Sequence, residues 1–273
     1  KVVLVEKHAT LGGVCLNVGC IPSKALLHVA KVINEADEMS HHGVSFGKPN
    51  LDIDKIREFK SGVVGKLTKG LDGLAKQRKV EKIQGMAKFT SPYTIEIDTA
   101  EGKKVVRFKN AIIASGSHSF KVPGFPFDDP RVIDSTGALL LESVPEKMLV
   151  VGGGIIGLEM AEVYGTLGSK ITVVELGDGL IPGADRDVVK VLENRIKKRY
   201  DAILTKTKCA KVEAKADGLW VTFEGPSAPA EPQKFDKVLV AAGRRPNGKT
   251  IGADAAGVIV NEQGFIPADK QQR

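Results

Sequence analysis

The sequence predicts an α/β fold in which parallel strands alternate with helices, and three observations support this prediction. Residues 148–174 indicate a buried strand, a G-x-G-x-x-G turn, a helix and a second strand, in the order of a dinucleotide-binding unit. Val2–Val5 indicates another buried strand, which ends at the acidic Glu6. The stretch IIASGS at residues 112–117 is echoed by VLVAAGRRPN at residues 238–247. We therefore predict two tandem Rossmann-like dinucleotide-binding domains, built in three layers and carrying inserted antiparallel strands.

The first part of the chain predicts two long helices and several short strands. Apolar residues at helical spacing follow Pro22, and a second helix is expected across residues 51–79. A buried strand is expected at Asn110–Gly116, and Asp134–Ser135 is expected to begin a short helix. Alternation of apolar and polar residues predicts further strands at Val80–Ile83, Ala87–Phe89, Thr94–Ile97 and Val105–Phe108.

A second domain is expected to begin near residue 146. Its strands are predicted at Met148–Val151, Ile171–Val174, Ala210–Ala214, Leu219–Phe223 and Lys237–Ala241, with a helix from Leu158 onward. We predict domains at residues 1–145 and 146–266, with residues 267–273 starting a return segment. Because the chain opens inside the apolar run KVVLVEK, we expect an internal piece of a longer protein, whose first domain lacks its first strand, glycine turn and helix.

Bulk properties exclude several classes of protein. No apolar stretch approaches the roughly 20 residues that span a bilayer. The net charge is +7, and a solvated helix end explains the densest basic patch, residues 195–199, better than nucleic-acid binding does. Three cysteines are too few for a secreted disulfide framework. We therefore expect a reducing compartment, either the cytoplasm, which is preferred, or the mitochondrial matrix.

Two of the cysteines stand close together in the run GGVCLNVGCIPSK. Cys15 and Cys20 lie where a glycine-rich loop enters a helix, and Pro22 suits a first helical turn. Two nearby thiols at a helix start can cycle between dithiol and disulfide. Inert packing is the alternative, whereas a structural zinc site would need about four ligands. Because positions i and i+5 face different sides of a regular helix, a bridge requires an irregular turn, which Asn17–Gly19 can supply.

The glycine motif at residues 152–157 predicts a dinucleotide site. Its glycines permit a tight turn and close approach of a pyrophosphate, while N–H groups of the next helix face the phosphate charge. Glu175 ends the following strand, where a carboxylate binds ribose hydroxyls but repels a 2′-phosphate. Residues 176–178 include no arginine to receive that phosphate, so NAD is favoured over NADP. Packing of a helix on a strand is the alternative explanation for the glycines.

The complete run GGVCLNVGCIPSKALL resembles the redox-active segment of the flavin-dependent pyridine nucleotide–disulfide oxidoreductases, and the resemblance covers nearly the whole chain. It is closest to the members that oxidise protein-bound dihydrolipoamide in 2-oxo acid dehydrogenase complexes. The resemblance implies a homodimeric enzyme with FAD and NAD as cofactors, a redox-active Cys15–Cys20 disulfide, and the lipoyl domain of an acyltransferase as its partner. It also assigns FAD to residues 1–145 and NAD to residues 146–266.

The resemblance further implies a role for each candidate site residue. Cys15 is expected to exchange with the substrate, and Cys20, which is nearer Lys24, to lie against the flavin. A solvated cation at Lys24 and an ordinary helix carboxylate at Glu159 are the alternatives, and Cys209 is expected to serve mainly in packing. The expected FAD contacts are Glu6, Gly12, Gly13, Cys15, Lys24, Ala87, Ser115 and Gly116. The expected NAD contacts are Gly152, Gly153, Gly154, Ile155, Ile156, Gly157, Glu159, Glu175, Cys209, Ala241, Ala242, Gly243 and Arg244.

Two features of the family pattern have no counterpart here. The family's catalytic base is a His paired with a Glu in a C-terminal interface domain, and none of the five histidines lies in a matching motif. The family's Gly-Asp turn at the flavin ribityl chain would follow Arg273. We therefore expect that this chain cannot turn over dihydrolipoamide by itself. A disulfide reductase of the glutathione or mercuric reductase type and a nucleotide-binding module without redox chemistry remain the alternatives.

Overall fold

The computed structural model describes residues 1–273. Its helices are α1 (Gly13–Val18), α2 (Cys20–Glu38), α3 (Ile53–Gln77), α4 (Ser135–Leu140), α5 (Ile155–Thr166) and α6 (Arg186–Ile196), with short 3₁₀ turns at Met39–His42, Gly248–Thr250 and Ala253–Ala256. Its strands are β1 (Val3–Glu6), β2 (Glu81–Gln84), β3 (Met86–Ser91), β4 (Thr94–Thr99), β5 (Gly102–Arg107), β6 (Ser117–Ser119), β7 (Val132–Ile133), β8 (Lys147–Val151), β9 (Lys170–Val174), β10 (Ala202–Leu204), β11 (Lys208–Lys215), β12 (Gly218–Glu224), β13 (Gln233–Phe235), β14 (Lys237–Val240) and β15 (Arg244–Pro246).

The chain forms two compact units. The first unit consists of Lys1–Asn17, Val64–His118 and Arg244–Arg273, and the second consists of Val18–Val63 and Ser119–Gly243. The second unit thus contains residues on both sides of position 145. The division into domains at residues 1–145 and 146–266 stays a prediction.

The second unit is built on a five-stranded parallel sheet in the order β10-β9-β8-β14-β7. Its central strands are continuous apolar runs because both faces of the sheet are covered, and Met148, Leu149 and Val150 of β8 are fully buried. One face packs on helices α2, α4 and α5. The other face packs on the antiparallel sheet β11-β12-β13. These layers confirm the predicted three-layer α/β fold with inserted antiparallel strands.

The predicted strand, glycine turn, helix and strand of this unit are confirmed as β8, α5 and β9. The helix begins at Ile155, three residues before the predicted Leu158. The shorter helix α4 begins where the sequence predicts it, because the carboxylate of Asp134 accepts a hydrogen bond from the N–H of Gly137 at 3.0 Å. Such a bond satisfies one of the N–H groups that a helix start leaves unpaired.

The first unit contains smaller sheets. Strand β1 confirms the predicted strand near the N-terminus and pairs in parallel with β2. Its predicted burial is wrong, because no residue of β1 is buried and Leu4 is 38% exposed. Strands β3, β4 and β5 form an antiparallel sheet, and β6 pairs with β15. The short strands predicted between residues 80 and 108 are therefore confirmed with small changes in their bounds. Helix α3 confirms the helix predicted across residues 51–79.

The buried strand predicted at Asn110–Gly116 is wrong. No residue of that stretch belongs to a strand, and Ile112 is 97% exposed. A buried parallel strand needs a neighbouring strand with which its backbone can pair, and the sheet that holds β1 consists of β1 and β2 alone. The apolar run therefore lacks the pairing that its composition favours.

One helical segment, Gly13–His42, is long and apolar enough to cross a membrane by length and composition alone. It comprises α1, α2 and a 3₁₀ turn, and Gly19 interrupts it. Within it, α2 buries Ala25, Leu26 and Ala30, and Leu26 belongs to the helical core of the second unit.

Candidate dinucleotide and redox site

The glycine turn between β8 and α5 is so tight that a Cβ on Gly152 or Gly157 would collide with the backbone. Gly152 has a left-handed φ of 110°, and a Cβ there would lie 2.5 Å from the carbonyl oxygen of Ala241. A Cβ on Gly157 would lie 2.2 Å from the carbonyl oxygen of Gly152. These two glycines are therefore required by the fold itself.

Gly154 has a different explanation, because the fold does not require a glycine there. Its φ of −78° suits any residue, and a Cβ would meet no atom within 4 Å. Gly154 is the N-cap of α5, no side chain caps this helix, and Ile155 next to it is 62% exposed. The turn therefore presents unpaired helix N–H groups to an open space, which is the arrangement that binds phosphate. A dinucleotide pyrophosphate fits this cradle.

Glu175 follows β9 directly, and the protein backbone holds its carboxylate in place. One oxygen accepts the N–H of Gly153 and the other accepts the N–H of Gly177, each at 2.7 Å. Each carboxylate oxygen can accept a further hydrogen bond, and the side chain is only half-buried. Glu175 can therefore accept ribose hydroxyls beside the glycine turn, which is the arrangement that favours NAD.

The two cysteines near the N-terminus lie on either side of a break between helices. Cys15 belongs to α1 and Cys20 is the first residue of α2. Between them, Gly19 has φ −147° and ψ −118°, which supplies the irregular turn that the sequence predicts. Both cysteines are exposed. The helix is therefore broken between the two cysteines, as the sequence predicts, and their pairing as a disulfide stays a prediction.

Helices α2 and α5 lie side by side in the second unit. Lys24 Nζ forms an ion pair with Glu159 Oε1 at 2.5 Å. Further along, Asn34 Nδ2 donates to Glu162 Oε1 at 2.9 Å and to Thr166 Oγ1 at 3.1 Å. Residue numbers rise together along both helices, so the helices run in the same direction. The first residue of α2, Cys20, is therefore at the same end of the helix pair as the glycine turn.

The sequence indicates Lys24 and Glu159 separately and gives no sign that α2 and α5 pack side by side. Arg199 was not predicted either. Its guanidinium donates to Glu162 at 2.7 Å, to Thr166 at 2.9 Å and to Asn34 at 3.1 Å. The signal in the sequence was the presence of polar residues, Asn34 in α2 and Glu162 and Thr166 in α5, on helices that also carry apolar residues. Their partners are more than 30 residues away in the chain, so spacing alone could not pair them.

Comparison with known proteins decides the family. The family model described as pyridine nucleotide-disulphide oxidoreductase matches residues 1–273. The chain belongs to this family. Two curated relatives, the dihydrolipoyl dehydrogenases of Vibrio cholerae and Haemophilus influenzae, are 59% and 52% identical to it over 99% and 100% of its length. The chain covers 57% of each of them. It therefore spans little more than half the length of these curated relatives.

A solved structure supports the same assignment. The HOCl-induced flavoprotein disulfide reductase RclA from Escherichia coli is 26% identical, and its TM-score is 0.82 over 98% of this chain and 57% of that one. The resemblance that the cysteine run indicated is thereby confirmed at the level of family and fold. Which residues of this oxidoreductase contact a cofactor stays a prediction.

Four of the residues predicted to contact FAD, Glu6, Gly12, Gly13 and Cys15, lie in the first unit, whereas Lys24 lies in the second. Glu6 ends β1, and its carboxylate accepts the N–H of His8 at 2.9 Å, as Glu175 does with Gly177. Gly12 and Gly13 both have left-handed φ angles, 111° and 59°. Glu6 and Glu175 therefore each stand at the end of a parallel strand, and each accepts the N–H of the residue two positions further along the chain.

The predicted FAD turn Ser115–Gly116 is held by Asn247, a residue that the sequence analysis did not select. Asn247 Nδ2 donates to the carbonyl of Ser115 at 2.8 Å, and its N–H donates to the carbonyl of Gly116 at 3.0 Å. Its side-chain oxygen lies 2.7 Å from Nδ1 of His118. The only signal in the sequence was the echo between the two Ala/Ser-Gly turns.

Arg244 and most of the other residues predicted to contact NAD are assigned to different units. It belongs to the first unit, whereas the glycine turn, Glu175 and Ala241–Gly243 belong to the second. Its guanidinium donates to the hydroxyl of Ser117 at 2.8 Å and to the carbonyl of Ser117 at 2.7 Å.

The predicted FAD contact Ala87 lies on β3 opposite the fully buried Ile97.

Cys209 is buried on β11 among the side chains that join the parallel and antiparallel sheets. Burial raises the pKa of its thiol to about 12. The group therefore stays protonated at neutral pH, and a protonated thiol is a poor nucleophile. Its contribution to the structure is packing.

Proposed function

We propose that the protein containing this chain is a dihydrolipoyl dehydrogenase, which oxidises protein-bound dihydrolipoamide and reduces NAD. The observation that carries the proposal is the parallel pair α2 and α5, linked by the ion pair between Lys24 and Glu159. It sets the start of the cysteine helix beside the start of the nucleotide helix. The curated relatives at 59% and 52% identity, which are named dihydrolipoyl dehydrogenases, support the same activity.

The cysteine pair accounts for the substrate half of the reaction. A thiolate of dihydrolipoamide attacks the sulfur of Cys15 in the Cys15–Cys20 disulfide, and the thiolate of Cys20 leaves. The second substrate thiol then attacks the mixed disulfide, releasing lipoamide and leaving both cysteines reduced. Two electrons and two protons have passed from substrate to protein. Exposure of both cysteines supports this role, because the lipoyl group must reach them.

The return of the cysteines to the disulfide requires a two-electron acceptor, which the cofactors supply. When bound, FAD would accept an electron pair from the dithiol, and NAD would accept a hydride, with release of one proton. We assign NAD to the Gly152–Gly157 turn, Glu175 and Glu159. We assign FAD to Glu6, Gly12–Gly13, Lys24 and the Ser115–Gly116 turn.

The partners follow from the same proposal. A lipoyl group is carried on a domain of the acyltransferase of a 2-oxo acid dehydrogenase complex, and that domain is the proposed docking partner. We further infer a homodimer, because the family's catalytic His–Glu pair comes from an interface domain of the partner subunit. The cytoplasm is the inferred location, in keeping with the bacterial relatives and with a cysteine number too small for a secreted disulfide framework.

The test compares Cys15→Ser and Cys20→Ser with Cys209→Ala in the full-length enzyme. We expect each serine variant to lose dihydrolipoamide:NAD turnover by more than a thousandfold and to bind NADH normally. The Cys209→Ala variant should keep its turnover. A strong preference for NADPH over NADH would favour a disulfide reductase of the glutathione or mercuric reductase type. Unchanged lipoamide turnover in both serine variants would contradict the redox role of the cysteines, and absence of turnover in the parent enzyme would favour a module without redox chemistry.

A further inference from the structure

The loop that joins β9 to α6, residues 176–185, is attached to the glycine turn. The N–H of Ile181 donates to the carbonyl of Gly153 at 2.9 Å. The side chain of Leu180 is fully buried, and a Cβ on Gly153 would lie 2.5 Å from its Cδ2. The N–H of the same glycine donates to Glu175. The loop, the glycine turn and the ribose acid therefore meet at Gly153.

Arg186, the first residue of α6, holds this loop from its other end. Its Nη2 donates to the carbonyls of Leu180 at 2.8 Å and Ile181 at 2.9 Å, and its Nε donates to the carbonyl of Ala184 at 3.2 Å. Ile181 has a φ of 45°, a left-handed conformation that β-branched residues rarely adopt. One planar guanidinium thus binds three carbonyls and keeps the loop in an otherwise unfavourable conformation.

Gly179 provides the space that the guanidinium occupies. A Cβ at this position would lie 2.7 Å from Nη1 of Arg186. Gly179 is not among the glycines with a left-handed φ, so its backbone conformation does not require a glycine. The missing side chain is therefore explained by the arginine packed against it.

We propose that Arg186 is a positioning residue of the NAD site. By holding residues 176–185 against Gly153, it keeps the glycine turn and the carboxylate of Glu175 in the arrangement that receives the nucleotide. The proposal rests on the proposed function in taking NAD as that nucleotide. An arginine near a ribose acid could instead bind a 2′-phosphate. Three of the five donors of Arg186 are bound to carbonyls, which favours the positioning role.

The test uses Arg186→Met, Arg186→Lys and the control Lys190→Met in the full-length enzyme. Lys190 is exposed on the same helix, so its variant removes one cation without touching the loop. We expect Arg186→Met to raise the Kd for NADH and the KM for NAD at least tenfold, with kcat and the KM for dihydrolipoamide within twofold. Arg186→Lys should recover part of the affinity, and Lys190→Met should match the parent.

A further variant keeps the proposal testable if Arg186→Met does not fold. Gly179→Ala retains the charge but displaces the guanidinium, and we expect it to raise the Kd for NADH three- to tenfold. Calorimetric titration with NADH and NADPH measures these constants without requiring turnover. An unchanged Kd for NADH in Arg186→Met, or a selective loss of NADPH binding, would overturn the positioning role. Absence of lipoamide turnover in the parent enzyme would instead overturn the proposed function.

Discussion

Gly154 and Gly157 stand in the same glycine turn, and the structure predicts opposite effects of filling the two positions. At Gly157, a Cβ would lie 2.2 Å from the carbonyl oxygen of Gly152 and 3.1 Å from Cγ1 of Val150. At Gly154 the space is open and the backbone is extended. We predict that Gly157→Ala destabilises the fold. We predict that Gly154→Ser preserves the fold and weakens nucleotide binding.

The cost of Gly157→Ala comes from contact with the backbone. Overpacking of a well-packed site costs about 1–3 kcal/mol, and the upper end applies because a backbone carbonyl cannot rotate away. The higher helix propensity of alanine offsets about 1 kcal/mol. The remaining cost of about 2 kcal/mol corresponds to a fall in Tm of about 4–8 °C for a unit of 150–250 residues.

The effect of Gly154→Ser comes from the helix N–H groups. A serine at the N-cap accepts one of them and stabilises the helix by a few tenths of a kcal/mol relative to glycine. The same side chain enters the space where the pyrophosphate would bind. Losing one charge-assisted hydrogen bond costs about 1.5–3 kcal/mol, which raises the Kd for NADH about ten- to hundredfold.

Both variants are measured in the full-length enzyme by thermal unfolding and by calorimetric titration with NADH. Gly157→Ala should unfold earlier, whereas Gly154→Ser should unfold at the parent temperature or slightly above it. If Gly154→Ser bound NADH as tightly as the parent, the nucleotide would not approach this turn and the assignment would be refuted. If Gly157→Ala unfolded at the parent temperature, the turn would be looser than the structure indicates.

Two further predictions concern other parts of the chain. Burial raises the pKa of the Cys209 thiol to about 12, above its value of about 8.5 in an unfolded chain. Because the unfolded state then releases its proton first, the free energy of unfolding should fall as pH rises from about 8.5 towards 12, and denaturant titrations should show a shallower fall for Cys209→Ala. Asn247→Ala removes the amide that holds the carbonyl of Ser115. We expect this variant to release flavin several-fold faster, measured by the fluorescence of released FAD, with unchanged affinity for NADH as the check that the fold is intact.

The sequence predicts features whose signals lie close together in the chain. The glycine turn, α5 and Glu175 belong to one continuous stretch, and the structure forms them as predicted. The irregular turn between the two cysteines was also predictable, because Gly19 stands where a regular helix would keep them apart. In both cases glycines mark the turn, because a glycine adopts backbone conformations that other residues avoid.

Features that depend on distant stretches could not be predicted in this way. The run Asn110–Gly116 has the composition of a buried strand, but composition does not supply a pairing partner. Lys24 and Glu159 form an ion pair only because α2 and α5 pack side by side. The guanidinium of Arg186 turns back onto the loop before it, although its sequence position suggests an ordinary charge at a helix start.

The contacts between α2 and α5 restrict where residues can be inserted or deleted. Lys24 meets Glu159, and Asn34 meets Thr166, at fixed positions along two helices. One residue inserted between Lys24 and Asn34 would rotate the following part of α2 by about 100° and would separate one of these pairs. Residues 43–50 are all exposed and carry no such restriction. Changes of length among related chains should therefore fall in that loop, while the spacing between Lys24 and Asn34 stays constant.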